Sequence, residues 1–381
     1  MTRPKIFVIA GETSGDLHGA GLITAIKAKR PDVEVTGIGG PKMIEAGQEA
    51  IFPSSRLAVV GLVEVFSHLG PILSAFNETR AYLKKVRPDL LILIDYPDFN
   101  LIVAGMAKRL GIPVFYYIGP QVWAWRQGRV GKLKSLVDRM AVILPFEEEF
   151  YADRGLKVNF VGHPLLDCVK AGSSKEEFCV SHGLYPDRPI IALLPGSRHG
   201  EVRRVFPVML EAARIMAQTR PEAQFAIAVA PSLGLQQLKD MTKGHPNGTC
   251  PEIRFVQGMT YDVMAASDLA IAASGTVTLE AAILGCPVVV TYKVSPLTYF
   301  FGRRFIKVPY ASLVNLIAGK KVVPELLQND ATPEGLAKEA LLLLDNGPKR
   351  QKIIQGLDAV RMRLGQPGAA DRAAGLALEL L

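Results

Sequence analysis

Residues 189–204 read "PIIALLPGSRHGEVRR". An unbroken apolar run meets a Pro-Gly-Ser turn, and helical spacing then carries on through "VFPVMLEAARIMAQTRP" (205–221). A short continuous apolar run that ends in a turn and feeds a helix is a strand covered on both faces, the first leg of a βα unit. The chain opens in the same way. "KIFVIAG" (5–11) leads through a glycine turn into "ETSGDLHGAGLITAIKAKRP" (12–31). Two such openings so far apart predict two doubly wound α/β domains, each Rossmann-like.

Strand candidates alternate with helical patterns between and beyond these openings. They are "EVTGIGG" (34–40), "LAVVG" (57–61), "LLILID" (90–95), "VFYYIG" (114–119), "MAVILP" (140–145) and "NFVGHP" (159–164), then "FAIAVA" (225–230), "IRFVQG" (253–258), "LAIAAS" (269–274) and "CPVVVTY" (286–292). A polar, turn-rich stretch, "LLDCVKAGSSKEEFCVSHGLYPDRP" (165–189), marks the boundary. The expected division is an N-terminal domain over 1–168, a C-terminal domain over 169–345, and closing helices over 346–381 that pack back on the first domain. Two such sheets facing one another leave a cleft bounded by strand carboxyl ends, where open α/β sheets bind ligands.

The totals narrow the function. A chain of 381 residues is long for one core, and 49% apolar with 21% charged residues is a globular composition. The formal charge of +8 favours anionic partners, whether phosphates or an anionic membrane surface. Nucleic acid ranks last, because no long basic tract or nucleic-acid module motif occurs. Four cysteines lie far apart without a C-x-x-C, which argues against a zinc site or disulfide framework and fits a reducing cytosol. The first strand reaches its glycine turn too soon for a signal peptide. The apolar stretch "LLILIDYPDFNLIVAGMA" is interrupted by Asp95, Pro97, Asp98 and Asn100, so it is not expected to span a bilayer.

Two loops carry the anion-binding pattern. After "LAIAAS", Ser274, Gly275 and Thr276 turn the chain into a helix bearing Glu280. Free N–H groups at such a helix start can hold a phosphate, and Glu280, one turn inside, can accept from ribose hydroxyls. The plainer reading is an ordinary helix start capped by Ser274 or Thr276. On the matching loop, Arg198 can make bidentate contact with a diphosphate and stabilise charge on a departing nucleoside diphosphate. Its plainer reading is a surface arginine paired with Glu201. The pair of loops favours the nucleotide. No D-x-D, P-loop or G-x-G-x-x-G pattern is present, so no metal or cofactor is expected.

Asp95 ends a strand facing the expected cleft and is the acid–base candidate. Asp98 reads as a helix N-cap. His18 is a rival base, ranked second; His163 reads as a packing or hinge residue, and Lys42 as a solvated lysine. Two segments mix aromatic rings with cations: "YYIGPQVWAWRQGRVGKLK" (116–134), with Trp123 and Trp125, and "YKVSPLTYFFGRRFIKVPY" (292–310), with Arg303 and Arg304. Such mixtures suit a membrane interface.

The motifs "AGETSGDLHGAGL", "GIGGPKM", "GLVEV", "IDYPDFN", "VWAWRQGRV", "LPFEEEFY", "FVGHPLLD", "LLPGSR", "SGTVTLEA" and "VNLIAGKKVVPELLQ" together resemble the lipid-A-disaccharide synthase family, in order from the first strand to about residue 330. "AGETSGD" and "VWAWRQ" are its most specific pieces. The resemblance implies an inverting, metal-independent glycosyltransferase of the GT-B fold. Such an enzyme joins UDP-2,3-diacylglucosamine to 2,3-diacylglucosamine 1-phosphate, forms the β-1′,6 disaccharide of lipid A, and releases UDP. It further implies Asp95 as the essential carboxylate, Asn315 and Gln328 near the donor, and Glu12 and Ser14 among acceptor or membrane contacts. Peripheral association with the inner face of the cytoplasmic membrane and a homodimer through the C-terminal domain are also implied. The family has an aliphatic residue where this chain has His18, which weakens that histidine as base. Two alternatives stay open: another UDP-N-acetylglucosamine enzyme of the same fold (the 2-epimerase or the peptidoglycan glucosaminyltransferase), and a non-catalytic nucleotide-sugar-binding module.

Overall fold

The computed structural model describes residues 3–54, 69–243, 251–295, 299, 304, 308–345 and 347–381. The expected strand "LAVVG" and Arg303 lie outside the described residues. The chain divides into two units: Met1–Asp167 with Leu364–Leu381, and Cys168–Arg363. The stretch 346–381, read from sequence as one closing group of helices, therefore divides. Pro348–Arg363 packs within the second unit, and Ala369–Leu378 returns to the first.

The first unit is built on a seven-stranded parallel sheet of order β3-β2-β1-β4-β5-β6-β7. Its strands are β1 (Lys5–Ala10), β2 (Glu34–Gly39), β3 (Glu49–Pro53), β4 (Leu90–Ile94), β5 (Val114–Tyr117), β6 (Arg139–Val142) and β7 (Asn159–Phe160). Alternation decides which side chain faces which layer. Phe7, Ile9, Leu91, Leu93 and Tyr116 pack on one face, with helices Leu69–Val86 and Pro97–Arg109. Ile6, Val8, Ala10, Ile92 and Tyr117 pack on the other, beneath helix Thr13–Lys29 and the returning Ala373, Ala374 and Ala377.

The second unit holds a six-stranded parallel sheet of order β10-β9-β8-β11-β12-β13. Its strands are β8 (Ile190–Leu194), β9 (Gln224–Val229), β10 (Ile253–Gln257), β11 (Leu269–Ala273), β12 (Val288–Tyr292) and β13 (Glu325–Leu327). All five residues of β8 and of β11 are buried, as continuous apolar strands between two helical layers require. Cys168, Cys179 and Cys286 are not disulfide-bonded. Among the described residues no helix is long and apolar enough to cross a membrane.

Candidate active site

Strand order reverses between β1 and β4 in the first sheet, because connections run outward from each in opposite directions. Such a switch point opens a crevice at the strand carboxyl ends. Gly11 and Glu12 follow β1 there, and Asp95 and Tyr96 follow β4. Asp95 and Tyr96 have φ of 43° and 47°, two successive non-glycine residues in the left-handed region. The Tyr96 ring lies over Gly11, where any Cβ would stand 2.5 Å from ring carbons, so only glycine admits this contact.

Burial raises the Asp95 carboxyl to about 6, Glu12 adds to the rise, and the Tyr96 backbone N–H opposes it. The group is thus ionised at neutral pH yet basic enough to take a proton. His18 fares worse, since burial lowers its imidazole to about 4. His163 is buried and lowered to about 3, with Nδ1 accepting from the Leu165 N–H at 3.2 Å. Asp98 is not the helix N-cap, which is Tyr96; it lies in the first turn, exposed, and pairs with Arg126 and Arg129. Its carboxylate finds those guanidiniums more readily than the helix N–H groups.

The start of helix Thr13–Lys29 carries Glu12 and Ser14, both exposed, and one residue that motif reading did not single out. Asp16 is buried, and its carboxylate accepts from the N–H groups of Gly40 (2.8 Å), Met43 (3.0 Å) and Lys42 (3.1 Å). The Asp of "AGETSGD" thereby caps the helix Pro41–Glu45 of "GIGGPKM", tying together the ends of β1 and β2. Gly40 leaves room for that carboxylate, which would lie 2.5 Å from a Cβ. Lys42 itself is exposed.

The two tryptophans part company. Trp123 is 5% exposed, and its Nε1 donates to Oε1 of Glu147 at 3.1 Å; it is a core residue, not a membrane contact. Glu147 is also buried and accepts from the Leu144 N–H at 3.0 Å, and burial raises its carboxyl to about 7. Trp125 is 47% exposed with the Arg126 guanidinium 4.0 Å over its ring, and Arg304 is exposed.

In the second sheet the order reverses between β8 and β11. Arg198 stands just before helix His199–Thr219, exposed and without an ion pair within 4.0 Å among the described residues, although its charge opposes the rise that burial gives the Glu201 carboxyl. Thr276 precedes helix Val277–Leu284 without a side-chain cap, and Ser274 Oγ donates to the Ala311 carbonyl at 2.8 Å instead. Both readings of the capping residue therefore fall, and the Gly275–Thr276 turn stays exposed. Glu280 is half-buried with no hydrogen-bond partner among the described residues, and burial raises it to about 7.

Asn315 is held by the protein itself. It is fully buried, donates Nδ2 to Val323 O (3.0 Å) and Glu325 (2.7 Å), and accepts at Oδ1 from the N–H groups of Val322 (2.7 Å) and Val323 (2.9 Å). All four of its hydrogen-bonding positions are filled by protein, so it braces the approach to β13. Gln328, just beyond β13, is held at φ 53° with its side chain free of protein partners among the described residues.

Each sheet thus has a switch point, and comparison with known proteins decides the family. The family described as lipid-A-disaccharide synthetase matches residues 6–379. This chain belongs to the lipid-A-disaccharide synthetase family. The lipid-A-disaccharide synthase of Syntrophus aciditrophicus is 49% identical over 382 residues, covering 100% of this chain and 99% of that protein. Among solved structures, MurG of Acinetobacter baumannii is similar with a TM-score of 0.61 at 16% identity, covering 99% of each chain. The UDP-GlcNAc 2-epimerase of Neisseria meningitidis, bound to UDP-GlcNAc, is similar with a TM-score of 0.63 at 12% identity, covering 98% of each. At such identities these two speak for the fold alone, which is GT-B. As a member of the lipid-A-disaccharide synthetase family, the chain is a glycosyltransferase.

Proposed function

We propose that the enzyme transfers 2,3-diacylglucosamine from UDP-2,3-diacylglucosamine to the 6-hydroxyl of 2,3-diacylglucosamine 1-phosphate. The acceptor oxygen forms a bond to C1 of the donor sugar, its proton passes to Asp95, and the C1–phosphate bond breaks with its electron pair leaving on UDP. The observation that carries this reading is the half-buried Asp95 carboxylate, raised to about 6 at the β1/β4 switch point. Arg198, the uncapped Gly275–Thr276 turn, Glu280 and Gln328 supply what a nucleoside diphosphate needs: a guanidinium for the diphosphate, N–H groups, and a ribose acceptor.

Both substrates carry acyl chains, so we assign the enzyme to the cytoplasmic face of the inner membrane, with Trp125, Arg126 and the 292–310 segment, including Arg303 and Arg304, as contacts. A homodimer through the second unit accompanies this reading. Incubation with the UDP-sugar and the 1-phosphate acceptor, followed by mass analysis, tests the reaction. One disaccharide 1-phosphate per UDP is expected. A UDP-sugar isomer of unchanged mass would instead indicate an epimerase.

A further inference from the structure

Three features around Asp95 run against stability and converge on one atom. Asp95 and Tyr96 are held left-handed in succession. Asn100, in the first turns of helix Pro97–Arg109, is 0% exposed, and its Oδ1 has no hydrogen-bond partner among the described residues. Tyr116, in the middle of β5, places a hydroxyl inside the core. The Asp95 backbone carbonyl accepts from the Tyr116 hydroxyl at 2.6 Å and from Asn100 Nδ2 at 2.7 Å, and the same Nδ2 reaches the Ile94 carbonyl at 3.2 Å. The amide cannot turn over, because Oδ1 would then face two carbonyls. A core needing only to be filled would use leucine and phenylalanine at these positions.

We propose that Asn100 and Tyr116 are positioning residues for Asp95: they clamp its carbonyl and so hold the left-handed turn from which its carboxylate projects. The proposal rests on the assignment of Asp95 as proton acceptor. Without the clamp the turn relaxes toward an ordinary backbone conformation, and a reacting group displaced by about 1 Å loses on the order of 10²-fold in rate. The titratable groups that share its electrostatic surroundings are Glu12 after β1, Tyr116 from β5 and Glu147 from helix Glu147–Ala152, and the Tyr96 backbone N–H supports its charge.

Turnover is measured against pH in Tyr116→Phe and Asn100→Ala, and in Tyr116→Phe combined with Asp95→Asn. The single variants should lose about 10- to 100-fold in kcat with little change in either KM. The acid limb should move to lower pH, because a released carboxylate regains water. In the Asp95→Asn background, Tyr116→Phe should cost nothing further, since it acts through the group already removed. Should Asn100→Ala fail to fold, Tyr116→Phe, which keeps the ring, decides. Near-wild-type turnover in Asp95→Asn removes the base assignment and this proposal with it. An impaired Asp95→Asn beside an unimpaired Tyr116→Phe, or losses that multiply in the double variant, overturns the clamp alone.

Discussion

In the proposed reaction the Asp95 carboxylate takes the acceptor's proton, and its replacement is the sharpest test. Asp95→Asn keeps size and shape but removes the proton acceptor, so turnover should fall about 10²–10⁴-fold. UDP affinity, measured by calorimetry, should hold, because Asp95 belongs to the first unit and the residues proposed for the nucleotide to the second. The base is active when ionised, so wild-type turnover should decline as pH drops through about 6 and level off above it. Arg198→Ala removes a charge-assisted bond worth about 1.5–3 kcal/mol, so UDP should bind roughly tenfold or more weakly. Glu280→Ala should weaken UDP binding while leaving chemistry at bound substrate largely intact; unchanged affinity in both variants would move the nucleotide elsewhere. Trp123→Phe tests a buried acid. The indole N–H lowers the Glu147 carboxyl, which burial otherwise raises, so its loss matters more once Glu147 ionises. Glu147 favours the fold most below its ordinary value, and that contribution fades as pH rises through about 7. The stability deficit of Trp123→Phe should therefore grow from about 1 kcal/mol at pH 5 to about 2–3 kcal/mol at pH 8 in urea titrations. A deficit that does not change with pH would mean only lost packing.

At the scale of elements, the strands at the centre of each sheet were legible, as were the edge strands β7 and β10, whereas the edge strands β3 and β13 were not. β4 and β8 lie between two helical layers, so every residue is apolar and the run announces itself. β3 and β13 each have one neighbour, are only partly buried, and carry Glu49 and Glu325, so they show no such run. Site residues followed the same logic. Asp95 and Arg198 stand beside signals that periodicity can find, the end of an apolar strand and a glycine turn. Asp16 does not, because its partners lie beyond an entire helix and strand. Glu147 hides in the acidic run "EEE", which reads as solvated surface. Trp123 and Trp125 share one short helix, and only three-dimensional packing separates the buried ring from the exposed one. The Asp16 clamp yields its own expectation. Asp16→Ala strands three backbone donors, two of them in buried bonds, and should destabilise the first unit by roughly 2–4 kcal/mol. Thermal melting would register this; a shift below one degree would show that water replaces the carboxylate.

For the whole molecule, the membrane reading depends on exposed rings and cations rather than on any spanning helix. Binding to anionic vesicles should weaken with added salt and with Trp125→Ala combined with Arg304→Glu, since attraction to lipid phosphates is screened or reversed while an interfacial ring is lost. Equal binding to neutral and anionic vesicles would remove the electrostatic part. The helix Ala369–Leu378 belongs to the same scale. Its Ala373, Ala374 and Ala377 cover the face of the first sheet formed by Ile6, Val8 and Ile92. Removing residues 364–381 should abolish the first unit's cooperative melting in calorimetry while UDP binding by the second persists.

The second unit is one continuous stretch, whereas the first is closed by residues that follow it in the chain. During synthesis, the unit that begins first is therefore the last to be completed. While the ribosome builds the second sheet, the face of the first sheet bearing Ile6, Val8 and Ile92 waits without its alanine cover. Nascent chains pass through a stage in which the later unit can already fold and the earlier one still exposes apolar surface, the condition under which chaperones engage and aggregation begins.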